Sequence, residues 1–360
     1  SAVELGTVAA VEAMRRAGIA PEQVDQTIVG HARQAGNGPN PARQVSIRAG
    51  VPQEVSAFTV NIACGSGLKA AQLGAQQIAL GDAEVVLAGG MENMTRVPFL
   101  LDRMRTGYRL GHAQVVDGMY RDGFHCPMAD QVMGRTAETL AETHSIPREE
   151  QDRFALESQR KAAAAVAQGA FAGEIVPVGE LAADEHPRPD TTLESLARLK
   201  PVFKEDGSVT AGNSSGITDG AAALLLVRES VARERKLEPL AFLEDHAAAG
   251  VDPKIMGIGP VPATRALLER TRRKIADFDL VELNEAFAAQ VLACRRDLGL
   301  DLARLNVHGG AIALGHPIGC TGARIVVTLL HAMRRRDVRR GLATLCISGG
   351  LGLAASFVRE

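Results

Sequence analysis

Four short stretches of this 360-residue chain set reactive side chains among glycines. Cys64 stands in Asn61-Ile62-Ala63-Cys64-Gly65-Ser66-Gly67, between an apolar strand pattern and an Ala/Leu-rich helix pattern. At a helix N-terminus, free N–H groups and the helix dipole stabilise a thiolate, and small neighbours let a substrate approach the backbone. His316 lies in the glycine-rich turn Gly309 to Gly319, ahead of a helix, where an imidazole has room to face a ligand and accept a thiol proton. Cys346 closes a buried strand just before Ser348-Gly349-Gly350. Asn284 sits where the run Asp279 to Leu283 passes into a helix, and its amide can donate to a carbonyl or a water. Taken singly, each has a structural alternative: a packed core cysteine, a turn histidine, a capping asparagine.

Two distant segments share one plan, and a repeated plan implies a repeated supersecondary unit. The first has a strand over Phe58 to Asn61, the small-residue turn at Cys64, an Ala/Leu helix and a strand over Glu84 to Ala88 before Gly89-Gly90. The second has a strand near Leu305-Asn306-Val307, the turn Gly315 to Gly322, a helix through Ile325 and Leu329, and a strand over Ala343 to Ile347. Continuous apolar strands joined to helices predict sheets covered on both faces, the α/β layered class. Between the halves, the pattern turns to Pro, Gly and charge, with a helix around Gln151 to Glu157, and reads as an inserted loop domain. The expected division is 1–91 with 211–235 as the N-terminal half, 92–210 as the loop domain and 236–360 as the C-terminal half.

A net charge of -2 offers no global field for nucleic acid or an anionic membrane, so neither is an expected partner. The run Arg334-Arg335-Arg336 reads as a solvated helix end, since no aromatic residues interleave. No apolar run approaches the roughly 20 residues of a membrane span. Five widely spaced cysteines, Cys64, Cys126, Cys294, Cys320 and Cys346, include no C-x-x-C pair and read as reduced thiols of a cytoplasmic protein. His112, His125 and Cys126 lack metal-ligand spacing, so no metal is expected.

Taken together, Cys64 in its context, Asn284-Glu285-Ala286-Phe287, Gly315-His316-Pro317 and Cys346 in Cys-x-Ser-Gly-Gly resemble, in order, the signature blocks of the thiolases. Thr210-Ala211-Gly212-Asn213-Ser214-Ser215-Gly216 resembles that family's pantetheine-contacting block. The resemblance runs from about Glu4-Leu5-Gly6 to the last residues. It implies two similar βαβ-type halves in a layered αβαβα arrangement, and an acyltransferase that makes or breaks a carbon–carbon bond between acyl-CoA thioesters.

By that resemblance Cys64 is the nucleophile and His316 its base. Cys346 is the acid/base at the α-carbon. One oxyanion hole would use His316 and a water on Asn284, and the other the main-chain N–H groups of Cys64 and Ser348. Coenzyme A would meet Arg188, Ser215, Met256, Ala286 and Phe287. No permanently bound cofactor is implied, acyl-CoA and CoA are the partners, and family members are homodimers or homotetramers.

The chain departs from the pattern at Val132, where short-chain synthetic relatives carry histidine, and at His308 and Leu351, while Cys320 matches degradative relatives. Family members begin with a further strand and an Arg-Thr-Pro turn, so the expectation is a truncated start and one sheet short of a strand. A ketoacyl synthase would use histidines in place of Asn284 and Cys346. A serine hydrolase would place Ser214 of Gly212-Asn213-Ser214-Ser215-Gly216 on a strand–elbow–helix, which the following residues do not match. A non-catalytic acyl-CoA or lipid-binding relative would have no need of the reactive trio.

Overall fold

The structure, a computed structural model, describes residues 1–360. The N-terminal half opens with α1 (Ala2–Ala17), whose first turn is closed by a Ser1–Glu4 capping box and whose end is stopped by Gly18 at φ 66°. There follow β1 (Gln26–His31), α2 (Pro41–Arg48), β2 (Ser56–Val60), α3 (Ser66–Leu80) and β3 (Val85–Glu92). The loop segment contributes α4 (Met133–Thr143) and α5 (Arg148–Ala167), and β4 (Gly220–Val227) returns to the first half. The C-terminal half holds β5 (Phe242–Gly250), α6 (Pro260–Thr271), β6 (Leu280–Leu283), α7 (Ala288–Leu298), α8 (Ile318–Arg336), β7 (Arg340–Ile347) and β8 (Leu351–Val358).

The first sheet has the order β2-β1-β3-β4 and the second β6-β7-β8-β5. In each, a parallel pair (β1 with β3, β6 with β7) is followed by an antiparallel return strand. The motif β1–α3–β3–β4 thus recurs as β6–α8–β7–β8. Helices α3 and α8 form the middle layer between the sheets, α1 and α2 cover the outer face of one, and α6 and α7 cover the other. Burial on both faces explains why β3 and β7 are runs of apolar and small residues with no alternation.

The middle helices meet through glycine on both sides. A Cβ on Gly67 would lie 2.6 Å from the Ala323 nitrogen, and one on Gly322 would lie 2.4 Å from the Leu68 nitrogen. This reciprocal approach sets the two functional turns, at the heads of α3 and α8, side by side.

Two expectations are corrected. The strand at Glu84 to Ala88 does not stop before Gly89-Gly90 but runs through them to Glu92, because a Cβ at Gly90 would collide with the Gly319 carbonyl at 2.2 Å. The glycines therefore bring a strand end against the head of α8. The strand at Leu305-Asn306-Val307 shrinks to isolated bridges, Leu305 with Val281 and Val307 with Gly309. Asn306 takes the left-handed conformation, φ 44°, and its side-chain amide pairs with both the N–H and the C=O of Leu283 at 2.9 Å. An amide side chain has replaced the next peptide of the ladder.

In the loop segment, the buried Glu138 carboxylate on α4 accepts from the Ser208 and Val209 main chain, and Asp152 on α5 accepts from Asn213. These bonds tie the segment's return path to its own helices. Arg334, Arg335 and Arg336 are exposed in the last turn of α8, as the charge pattern predicts.

Candidate active site

Cys64 occupies a single tight turn, Ala63–Gly65, immediately before α3. Ala63 is held at φ 45°, a strained conformation for a residue with a Cβ. Ser66 clamps the turn, accepting the Ile62 N–H at 2.9 Å and donating to the Ala63 carbonyl at 2.7 Å. The main-chain N–H groups of Ser348 and of Cys64 itself both point at the Cys64 sulfur, and Arg33 lies close enough to favour the thiolate. Burial outweighs all three and pushes the Cys64 thiol up. The donors expected from the sequence are present but outweighed, so the sulfur holds its proton until a base removes it.

His316 stands just before α8, the helix that packs against the Cys64 turn. Its Nδ1 lies 2.6 Å from the Thr321 hydroxyl, and that hydroxyl donates its one proton to the Pro317 carbonyl at 3.0 Å. The hydroxyl must then accept from Nδ1–H, which leaves the Nε2 lone pair free. Burial, aided by Arg324 and Arg33, holds the imidazole pKa down to about 3, so the ring is neutral at physiological pH.

Cys346 closes β7, 1% exposed, with its thiol pushed well up by burial and by the neighbouring Cys64. It is a protonated acid at rest. Ser348 follows on the turn before Gly349 and Gly350, whose φ values of 91° and 83° bend the chain so that the Ser348 N–H reaches Cys64.

Asn284 donates its main-chain N–H to the Thr344 carbonyl at 3.1 Å, and α7 begins only at Ala288, so it caps no helix. It is 1% exposed, and neither its Oδ1 nor its Nδ2 has a protein partner. Buried amides are normally satisfied, so this one fits a water or a substrate oxygen.

Met256, Ala286, Phe287 and Cys346 pack into one apolar cluster with Met133, Phe203 and Val209. Phe203 meets Phe287 edge-on at 6.1 Å, and the Ser215 N–H donates to the Ala286 carbonyl at 3.0 Å. The structure thus gathers Ser215, Met256, Ala286 and Phe287 beside Cys346. Arg188 is not among them. It is exposed on the loop segment, anchored through its main chain to Gln159, and its guanidinium touches no protein acceptor. Ser214 donates to the Thr210 carbonyl and pairs with Phe287, so the hydrolase arrangement is absent.

Two supporting groups escape the sequence reading. Glu92, fully buried at the end of β3, accepts from the N–H groups of Ala32, Arg33 and Gly319, with His31 Nε2 3.1 Å away. It ties the first half to the head of α8 and so to His316. Glu285 accepts from Ser158, Asn306 and the Ile312 N–H, and so fixes the turn that leads to His316. The signal for Glu92 was its place at the end of a strand that passes through paired glycines. Glu285 stood beside Asn284 in the block already singled out.

The family described as thiolase, N-terminal domain, matches residues 1–230, and thiolase, C-terminal domain, matches residues 237–359. An acetyl-CoA acetyltransferase of Pseudomonas aeruginosa is 53% identical over 100% of this chain and 94% of its own. One from Escherichia coli is 52% identical over 98% and 92%. Among solved structures, human mitochondrial 3-ketoacyl-CoA thiolase in complex with CoA is similar, with TM-score 0.97, 42% identity and coverage of 100% and 92%. The acetyl-CoA acetyltransferase of Bacillus anthracis is similar with TM-score 0.95, 45% identity and coverage of 99% and 92%. By fold, site and sequence, the chain belongs to the thiolase family.

Proposed function

We propose that this acyl-CoA C-acyltransferase works by ping-pong chemistry through an acyl-Cys64 intermediate. His316 takes the Cys64 proton through Nε2 as the sulfur attacks a thioester or 3-keto carbon. The developing oxyanion meets the N–H groups of Cys64 and Ser348. In thiolysis the carbon–carbon bond breaks and Cys346 protonates the departing acetyl-CoA enolate, whose oxygen faces His316 and a water on Asn284. Free CoA then displaces Cys64. In synthesis the same steps run backwards, with Cys346 removing the α-proton of acetyl-CoA.

The observation that carries this reading is the convergence of a main-chain donor pair on Cys64, beside a second cysteine held protonated. Ser215, Met256, Ala286 and Phe287 form the channel for the pantetheine arm, and Arg188 meets the nucleotide end outside it. The segment 92–210 carries CoA contacts and oligomer contacts of a homodimer or homotetramer. With all five cysteines free, a reducing cytoplasmic setting fits, and fatty-acid β-oxidation is one use of the cleavage direction.

The test is CoA-dependent loss of 3-ketoacyl-CoA absorbance over a chain-length series, with Cys64→Ala as control. Cleavage confined to acetoacetyl-CoA marks an acetyl-CoA acetyltransferase, and activity rising with length marks a broader 3-ketoacyl-CoA thiolase. Folded protein with no cleavage at any length overturns the proposal.

A further inference from the structure

Arg33 is a buried charge close to Cys64 and His316 to which this mechanism gives no substrate contact. It follows β1, only 6% exposed, and its main-chain N–H is committed to Glu92 at 3.1 Å. The guanidinium donates to no protein acceptor and forms no ion pair, and its Nε is enclosed without a partner. Glu92 and Asp122 are the nearest carboxylates, but neither is bonded to it. Burying a cation without a hydrogen-bonded partner is unfavourable, and an arriving anion would relieve it.

Its position says what arrives. The guanidinium lies against Gly123, where a Cβ would come within 2.6 Å of Nε and Nη2. Phe124, next in the chain, packs with Ala32, Met94, Met119 and Cys64 in one apolar cluster. Cys346, by contrast, clusters with Met256, Ala286 and Phe287 on the other side. Cys64 thus stands between two different walls, and with the pantetheine arm assigned to the Cys346 side, the Arg33 side is the one left for an acyl tail on the sulfur.

We propose that Arg33 is a specificity-determining residue that takes the far carboxylate of a 3-ketoacyl-CoA whose acyl chain ends in one. A planar guanidinium pairs with a carboxylate through two parallel hydrogen bonds, which an alkyl terminus cannot offer. The Cys64 sulfur bonds to C3, the C2–C3 bond breaks, and the electron pair leaves with the acetyl-CoA enolate, which takes the Cys346 proton. CoA thiol then gives its proton to the Cys346 thiolate and its sulfur to the carboxyacyl group, and Cys64 recovers its proton from His316. The products are acetyl-CoA and a carboxyacyl-CoA.

This inference rests on the acyltransferase reading, and one comparison separates the two. The probes are 3-oxoadipyl-CoA and its uncharged isostere 6-methyl-3-oxoheptanoyl-CoA, each cleaved with CoA by wild type, Arg33→Lys and Arg33→Met. The expected ratio of kcat/KM, carboxylate over isostere, is at least about tenfold in wild type. In Arg33→Met the ratio falls by about 100-fold, and Arg33→Lys lies between. A wild-type ratio at or below one, with the isostere cleaved, overturns the role of Arg33 and leaves the acyltransferase reading standing, whatever the variants' stability. Failure of folded wild type to cleave either probe or acetoacetyl-CoA overturns both.

Discussion

The imidazole Nδ1 of His316 lies 2.6 Å from the hydroxyl of Thr321, one turn into the helix that follows it. That contact fixes which ring nitrogen is free. Thr321→Val keeps the shape and removes the acceptor, so the imidazole loses both its tautomer and its aim. The expected result is a fall in kcat/KM of about 10- to 100-fold with the melting temperature little changed, read from thiolysis kinetics and a thermal scan.

Asn284 is a buried amide with nothing in the protein to bond. If it holds the water that completes an oxyanion hole, Asn284→Ala lowers kcat by about 10²- to 10³-fold while leaving acylation of Cys64 by acetyl-CoA intact. Steady-state rates and rapid-quench acylation, measured together, check both halves of that statement.

The crossing of α3 and α8 makes Gly67 a sharp stability probe. A Cβ there would stand 2.6 Å from the Ala323 nitrogen, which is main chain and cannot swing away. Gly67→Ala is expected to destabilise the fold by about 1–3 kcal/mol, measured by denaturant unfolding.

Glu282, buried on β6, has its carboxyl pushed up to about 8, first by burial and then by Glu285 and Glu174. A folded-state pKa above the unfolded value near 4.5 means that the folded protein binds the proton more tightly. The stability from that proton is full below about pH 4.5 and is lost as pH rises towards about 8. Glu282→Gln keeps the neutral shape at every pH. The difference in melting temperature, variant minus wild type, is therefore expected to grow between pH 5 and pH 8.

The blocks around Cys64, Asn284, His316 and Cys346 were legible because each sets a reactive side chain among glycines, a pattern that packing alone seldom demands. The repeat was legible for the same reason: small-residue turns recur at the heads of α3 and α8, where the helices must touch. What stayed hidden depends on contacts distant in sequence. Asn306 reads as a strand residue by its neighbours, and only the position of Leu283 shows that its side chain replaces a peptide. The burial around Cys64 was not legible either, because a helix N-terminus is visible in a sequence whereas the packing that opposes it is not. Arg33 carries no local mark at all; its meaning lies in Gly123, about ninety residues away in sequence, and in the absence of any acceptor.

The proposed mechanism puts the acyl group on Cys64. Mixing the protein with acetyl-CoA, quenching in acid and mapping the adduct by peptide mass spectrometry tests it most directly. The expected adduct is one acetyl group, on Cys64, lost on addition of CoA and missing in Cys64→Ala. An acetyl group on Cys346 or Cys126 instead, or fully folded protein that forms no thioester, would contradict it.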